Sequence, residues 1–130
     1  MGIESAIYSR LSSYSGLTAL VSTRIYPGTI KQLDSFPAVV YAVIEEGEDP
    51  TLGYSNDGKA NATVQIDIYD DDYNGVHAVA DQVKAALKDW RQDTSPIVYL
   101  VTFSGGGDVP YDPDNKLFRV GYDFDVFYPS

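Results

Sequence analysis

Along the first twenty residues the apolar positions Ile3, Ala6, Ile7, Leu11 and Tyr14 fall at helical spacing on one face, which predicts a helix from about Gly2 to Ser13. Ser12, Ser13, Ser15 and Gly16 break that pattern, and Leu17, Leu20 and Val21 predict one further short helical turn. Arg24-Ile25-Tyr26-Pro27-Gly28 then closes in a Pro-Gly pair, a turn signal. Pro37 opens the run Ala38 to Ile44, whose density of β-branched residues predicts a first strand.

From Glu45 to Gly58 the periodicity disappears. Glu45, Glu46, Glu48, Asp49 and Asp57 stand among glycines, a proline and Ser55-Asn56, which reads as an exposed acidic loop. Thr63 to Tyr69 alternates cleanly, with Val64, Ile66 and Ile68 on one face and Thr63, Gln65, Asp67 and Tyr69 on the other, so one side of this strand is expected to be buried. The clearest helix follows, its stripe made by Val76, Val79, Ala80, Val83, Ala86, Leu87 and Trp90. Asp70-Asp71-Asp72 precede it, where a carboxylate can cap free backbone N–H groups, and Lys84, Lys88 and Arg91 sit toward the end that favours cations. Ile97 to Phe103 is a dense β run, Ser104 to Asn115 reads as a long polar connection, and Leu117 to Tyr128 alternates as a long last strand.

The order helix, strand, strand, helix, strand, strand, with each strand pair joined by a long loop, is met most economically by an α+β fold. The expected form is an antiparallel four-stranded sheet of two hairpins, with helices packed on one face. No repeat and no linker divides the chain, so residues 1–130 are expected to form one domain.

Composition narrows the function more than the fold. A 44% hydrophobic share with 13% aromatic residues excludes a disordered acidic segment. The nine Lys and Arg against nineteen Asp and Glu leave a net charge of −10, which opposes wrapping nucleic acid, whose phosphates call for clustered cations. With no cysteine there are no disulfides, thiolate metal sites or cysteine nucleophiles. The start of the chain lacks a charged leader followed by an apolar stretch, and no run approaches the roughly 18 apolar residues of a membrane span, so neither a secretory signal nor a membrane helix is expected.

No set of residues converges on catalysis. The single histidine, His77, has no second histidine or cysteine with which to anchor a metal, and no nucleophile elbow accompanies it; a surface or half-buried helix position is expected. Asp70-Asp71-Asp72 suits capping better than cation binding, since three consecutive side chains cannot converge on one ion. Asp108, Asp112, Asp114 and Asn115 form an oxygen cluster without the order of a calcium loop, and Ser104-Gly105-Gly106-Gly107 lacks the Gly-Lys-Ser/Thr of a phosphate cradle and reads as a flexible loop. No catalytic residue, cofactor or metal ligand is therefore assigned. Eleven tyrosines are in surplus; those on polar faces, such as Tyr69, fit a protein interface.

Several of these segments, in this order, resemble a known family. They are the helix ending in Leu17-Thr18-Ala19-Leu20-Val21, then Arg24-Ile25-Tyr26-Pro27-Gly28, Phe36-Pro37-Ala38-Val39-Val40-Tyr41, Val64-Gln65-Ile66-Asp67-Ile68-Tyr69 and the helix Ala78 to Leu87. Together they are similar to the tail completion, or tail terminator, proteins of long-tailed bacteriophages and prophages. The Gly-rich stretch and the last strand match no motif of that family.

The resemblance implies a structural, non-enzymatic α+β subunit in the virion, at the head-proximal end of the tail. Such subunits form a ring, usually a hexamer, that caps the tail tube and offers a surface for the head. Implied partners are further copies of the chain, the tail tube protein and a head-completion or connector protein, with DNA passing through unbound. The expected partner-facing residues are Glu45, Glu46, Glu48, Asp49 and Asp57 in one acidic loop, Asp108, Tyr111, Asp112 and Asp114 in the other, and Tyr69 on the polar face of its strand. A small cytoplasmic binding or regulatory domain with a Tyr-rich sheet face is the alternative reading.

Overall fold

The computed structural model describes residues 3–28, 35–48, 59–94 and 97–129. The elements are α1 (Ile3–Ser13), α2 (Ser15–Val21), β1 (Ile25–Pro27), β2 (Ala38–Glu48), β3 (Lys59–Asp70), α3 (Tyr73–Leu87), β4 (Leu100–Asp112) and β5 (Leu117–Pro129). They build the expected α+β fold around a five-stranded sheet in the order β1-β2-β3-β5-β4.

The fifth strand is β1. It is only 3 residues long and runs parallel to β2, with Ile25, Tyr26 and Pro27 opposite Val39, Val40 and Tyr41. Nothing in its own pattern marks it as a strand. It is held by the return of the chain, in which the Val39 amide donates to the Arg24 carbonyl, the Gly28 amide donates to the Tyr41 carbonyl, and Arg24 Nε donates to the Pro37 carbonyl oxygen at 2.8 Å.

Alternation decides which face is buried. On β3, Ala62, Val64, Ile66 and Ile68 point under the helices, level with Val39 and Tyr41 of β2 and with Val120, Phe124 and Val126 of β5. Ile7 and Leu11 of α1, Leu17 and Val21 of α2, and the stripe Val76, Val79, Val83 and Leu87 of α3 close the core from the other side. Helices α1 and α3 divide the work: α1 packs over β1 and β2, and α3 over β3, β5 and β4. The helical stripe runs past its helix, since α3 stops at Leu87 and Trp90 is buried from the following turn, its amide donating to the Leu87 carbonyl at 3.1 Å.

Parts of the two expected loops are strand instead. Residues Glu45 to Glu48 continue β2 after a register shift between Val43 and Glu45, paired with Thr63 to Ala60 of β3. Asp49 and Asp57 lie outside the described residues. The Gly-rich stretch, expected to be a flexible loop, is the middle of β4, which pairs with β5 as far as Asp112 opposite Leu117. Two of its glycines are needed there. Gly105 and Gly106 follow a shift in register with φ of 150° and 137°, and a Cβ at Gly106 would collide with the Gly121 carbonyl oxygen. The polar connection shrinks to the turn at 113–116.

Candidate interaction surface

The descent from β3 into α3 is built on carboxylates. Asp72 is the N-cap of α3 and its Oδ2 accepts from the Gly75 amide at 2.7 Å, as expected of a capping aspartate. Asp70 is buried, its Oδ1 accepting from the Asp71 amide at 2.8 Å, and its carboxylate lies where a Cβ on Gly75 would have to go. Burial pushes its pKa above the ordinary carboxylate value, with the Asp71 side chain adding to the shift. Among the described residues no group of three or more His, Cys, Asp or Glu could hold a metal ion.

His77, on the first turns of α3, meets the edge strand. Asp108 lies on the helix side of β4, opposite Val120, and its Oδ1 comes within 2.9 Å of His77 Nε2. The approach is close in distance but out of line for a hydrogen bond, and Nε2 is otherwise enclosed. Around it Tyr73 packs on His77 and edge-on to Phe118, and Tyr111 packs on Phe118 with ring centres 4.6 Å apart. These side chains and Arg119 line a shallow cleft of about 200 Å³. A second depression, of about 310 Å³, lies by Tyr8, Thr18 and Ile25. The first places His77 beside Asp108 with no Ser, Thr or Cys in its lining, and the second carries Ser12, Thr18, Ser22 and Thr23 with no His, Asp or Glu in its lining.

The face of the sheet away from the helices is polar along its two central strands. Arg119 reaches across to Asp67, its Nη2 donating to Oδ1 at 3.1 Å and its Nε to the same oxygen at 3.3 Å, while its guanidinium lies over the Tyr69 ring. Tyr69 is half-buried there, and that burial raises the pKa of its hydroxyl, with Arg119 opposing the rise. Thr63 donates to Asp125 at 3.2 Å, and Gln65 stands opposite Asp123. Alternation marked Asp67 and Tyr69 as outward-facing, but the ion pair between β3 and β5 depends on a register that spans α3 and β4 and has no local signal.

The remaining candidates separate. Glu45, Glu46 and Glu48 lie on β2, on the far side of the sheet from Asp108, Tyr111 and Asp112 on β4. Asp112 is committed to its own turn: Oδ1 accepts from the Asp114 and Asn115 amides at 3.0 and 3.3 Å, and Oδ2 from Asn115 Nδ2 at 2.7 Å. Those bonds, led by the Asn115 side chain, hold its carboxyl below the usual range. Asp114 is exposed in the same turn and Tyr111 is exposed beside it. The candidates therefore form two separate acidic clusters, one on β2 and one at the end of β4 and its turn, rather than one convergent site.

Eight large apolar side chains are exposed among the described residues: Tyr8, Leu20, Tyr26, Ile44, Tyr73, Ile97, Tyr99 and Tyr111. The first four belong to α1, α2, β1 and β2, and the last four to the start of α3, the segment before β4 and β4 itself. None is on β3 or β5. The exposed apolar side chains thus fall into two groups, one on β1, β2 and the two N-terminal helices, the other on β4, the segment before it and the start of α3. No helix among the described residues is long and apolar enough to cross a membrane.

Comparison with known proteins agrees with this picture. A family described as tail completion protein gp17 matches residues 5–129. Among solved structures the chain is similar to one from the virion of a native gene transfer agent particle, with a TM-score of 0.72 at 17% identity, over 98% of this chain and 95% of that one. At that identity the likeness is one of fold. No curated protein matches the chain.

Proposed function

Since the chain belongs to the tail completion protein gp17 family, structural components of phage virions, we propose that it is a tail terminator: a subunit of a ring, six copies around, that caps the tail tube and forms the docking surface for the head. The observation that carries this reading is the family match over residues 5–129, joined to exposed apolar side chains that fall into two separate groups. A subunit that must touch a copy of itself on either side needs two such surfaces. It needs no reaction centre.

The net charge of −10 suits a ring through which DNA passes without being held, because carboxylate walls repel phosphate. Glu45, Glu46, Glu48, Asp49, Asp57, Tyr69, Asp108, Tyr111, Asp112 and Asp114 are the residues proposed to face the channel, the tube, the connector or a neighbouring copy. The partners are the tail tube protein and a head-completion or connector protein, and the assembled chain resides at the head-proximal end of the tail.

The test is to produce particles without this chain and then supply it. Tails made in its absence should fail to join heads, and addition of the purified chain should cap them with a ring visible in negative-stain images and restore joining. Normal yields of joined, infectious particles in its absence would refute the proposal. Charge reversal at Glu45, Glu46, Glu48 and Asp49 should lower that yield while leaving the fold intact.

A further inference from the structure

The two ends of the sheet are complementary to each other. β1 covers β2 only from Val39 to Tyr41, so beyond it the stretch to Glu48 has no strand beside it among the described residues. That stretch carries Glu45, Glu46 and Glu48, preceded by Ile44, which is 54% exposed at the register shift. At the opposite end, the start of β4 is covered by the segment after α3: the Asp89 amide donates to the Val101 carbonyl and the Val101 amide donates to the Trp90 carbonyl. The outermost described layer there is residues 88–94 and 97–99, with Lys88 and Arg91 exposed and with Ile97 and Tyr99 as exposed apolar side chains. Arg10 joins them, its Nε donating to the Ala86 carbonyl at 2.7 Å and its guanidinium over Trp90. Asp89 and Asp93 are the carboxylates of this edge. Arg10, Lys88 and Arg91 outnumber them, three against two, in a chain that is otherwise strongly acidic.

Both ends lie at one level of the sheet. Register places Glu46 opposite Ala62, Ala62 opposite Val126, and Val126 opposite Val101, whose backbone is bonded to Asp89 and Trp90. One rung of the sheet thus runs from the acidic edge to the basic edge. A rotation about an axis along the strands brings one end of that rung against the other end in the next copy. Because the two edges are different surfaces, the contact is head-to-tail, the kind that closes into rings. Opposite charge and an apolar residue at each edge are the complementarity such a contact requires.

We infer that neighbouring copies join by the Ile44 to Glu48 edge of β2 in one copy packing against the edge formed by residues 88–94 and 97–99 in the next. This rests on the ring reading above and assigns its copy-to-copy interface. Asp108, which faces His77, and the aromatic cleft by Tyr111 lie further along β4, outside this contact.

The test uses two full-length variants, Glu46→Lys with Glu48→Lys and Lys88→Glu with Arg91→Glu. Circular dichroism and thermal melting show that each is folded; where either is not, the single changes Glu48→Lys and Arg91→Glu replace them. Each is added to tails made without the chain, and rings are counted in negative-stain images. Alone, each variant sets like charge against like charge at every contact, and ring-capped tails should fall by about tenfold or more. Mixed in equal amounts, the two alternate with opposite charges at every contact, and capped tails should return to within about twofold of the unaltered chain. Rings formed undiminished by either variant alone, or no recovery in the mixture of folded variants, would overturn this interface while leaving the ring intact. Absence of rings with the unaltered chain would overturn the ring reading itself, and this interface with it.

Discussion

Strands β3 and β5 lie side by side along their whole length, and their two faces have opposite character. Under the helices, Ala62, Val64, Ile66 and Ile68 meet Val120, Phe124 and Val126, none more than 3% exposed. On the other face, Thr63, Gln65, Asp67 and Tyr69 meet Arg119, Gly121, Asp123 and Asp125, all of them partly exposed. The same backbone hydrogen bonds serve both. What differs is that the first face gains the free energy of apolar burial and the second makes a few polar contacts that water could replace. Stability is concentrated on one face and the other is free to vary with its surroundings.

The sharpest way to break that contrast is to truncate adjacent residues of β5. Phe124 is fully buried, its ring edge-on to Phe103, and Phe124→Ala should cost about 3–5 kcal/mol in urea unfolding through lost burial and the cavity left behind. Asp125, one residue on, accepts a single hydrogen bond from Thr63, and Asp125→Ala should cost less than about 1 kcal/mol. Comparable losses at the two positions would remove the distinction between the faces.

Next in size is the edge strand. Gly106 stands opposite Tyr122 with φ of 137° and no room for a Cβ beside the Gly121 carbonyl oxygen. Gly106→Ala should destabilise by about 1–3 kcal/mol, as expected for forcing an L side chain into that region. Gly107 has open space and an ordinary φ, so Gly107→Ala should be nearly silent. Equal effects would show that the strand tolerates its glycines as filler. A smaller change is expected at the start of α3, where Asp72→Ala removes the acceptor of the Gly75 amide and should lower stability by about 1 kcal/mol, read from the thermal midpoint.

These positions also show how far the chain's own pattern reaches. The buried face of β3, the stripe of α3, the capping role of Asp72 and the two N-terminal helices are legible because each depends on spacing within a dozen residues. β1 is illegible because its 3 residues become a strand only through Arg24, Val39 and Tyr41. The Gly-rich half of β4 reads as a loop because β propensity describes side chains that pack, whereas here the glycines make a register shift and a close approach to Gly121. The same limit applies to the candidate surface. Acidic residues can be counted in the sequence, but that Glu46 and the Asp89–Trp90 turn end the same rung follows only from the pairing of four strands.

The smallest effect, and the finest contrast, lies between two carboxylates that end neighbouring rungs, Asp70 opposite Phe118 and Asp112 opposite Leu117. Asp70 is buried and its pKa is raised, so the folded chain holds this proton more tightly than the unfolded chain does. Its contribution to stability is present below the ordinary carboxylate pKa and is lost as pH rises through the folded value. Asp112 is exposed and its pKa is lowered by the bonds it accepts from Asn115 and Asp114. Its contribution is present above the ordinary value and is lost as pH falls through the depressed one. Replacing each with Asn should therefore change the pH dependence of unfolding in opposite senses. Asp70→Asn should flatten the loss of stability from acid toward neutral pH, and Asp112→Asn should flatten the loss toward strong acid. Unfolding midpoints measured across the acid range for the three proteins decide it. Shifts of the same sign would mean that burial at Asp70 is outweighed by the hydrogen bond from the Asp71 amide.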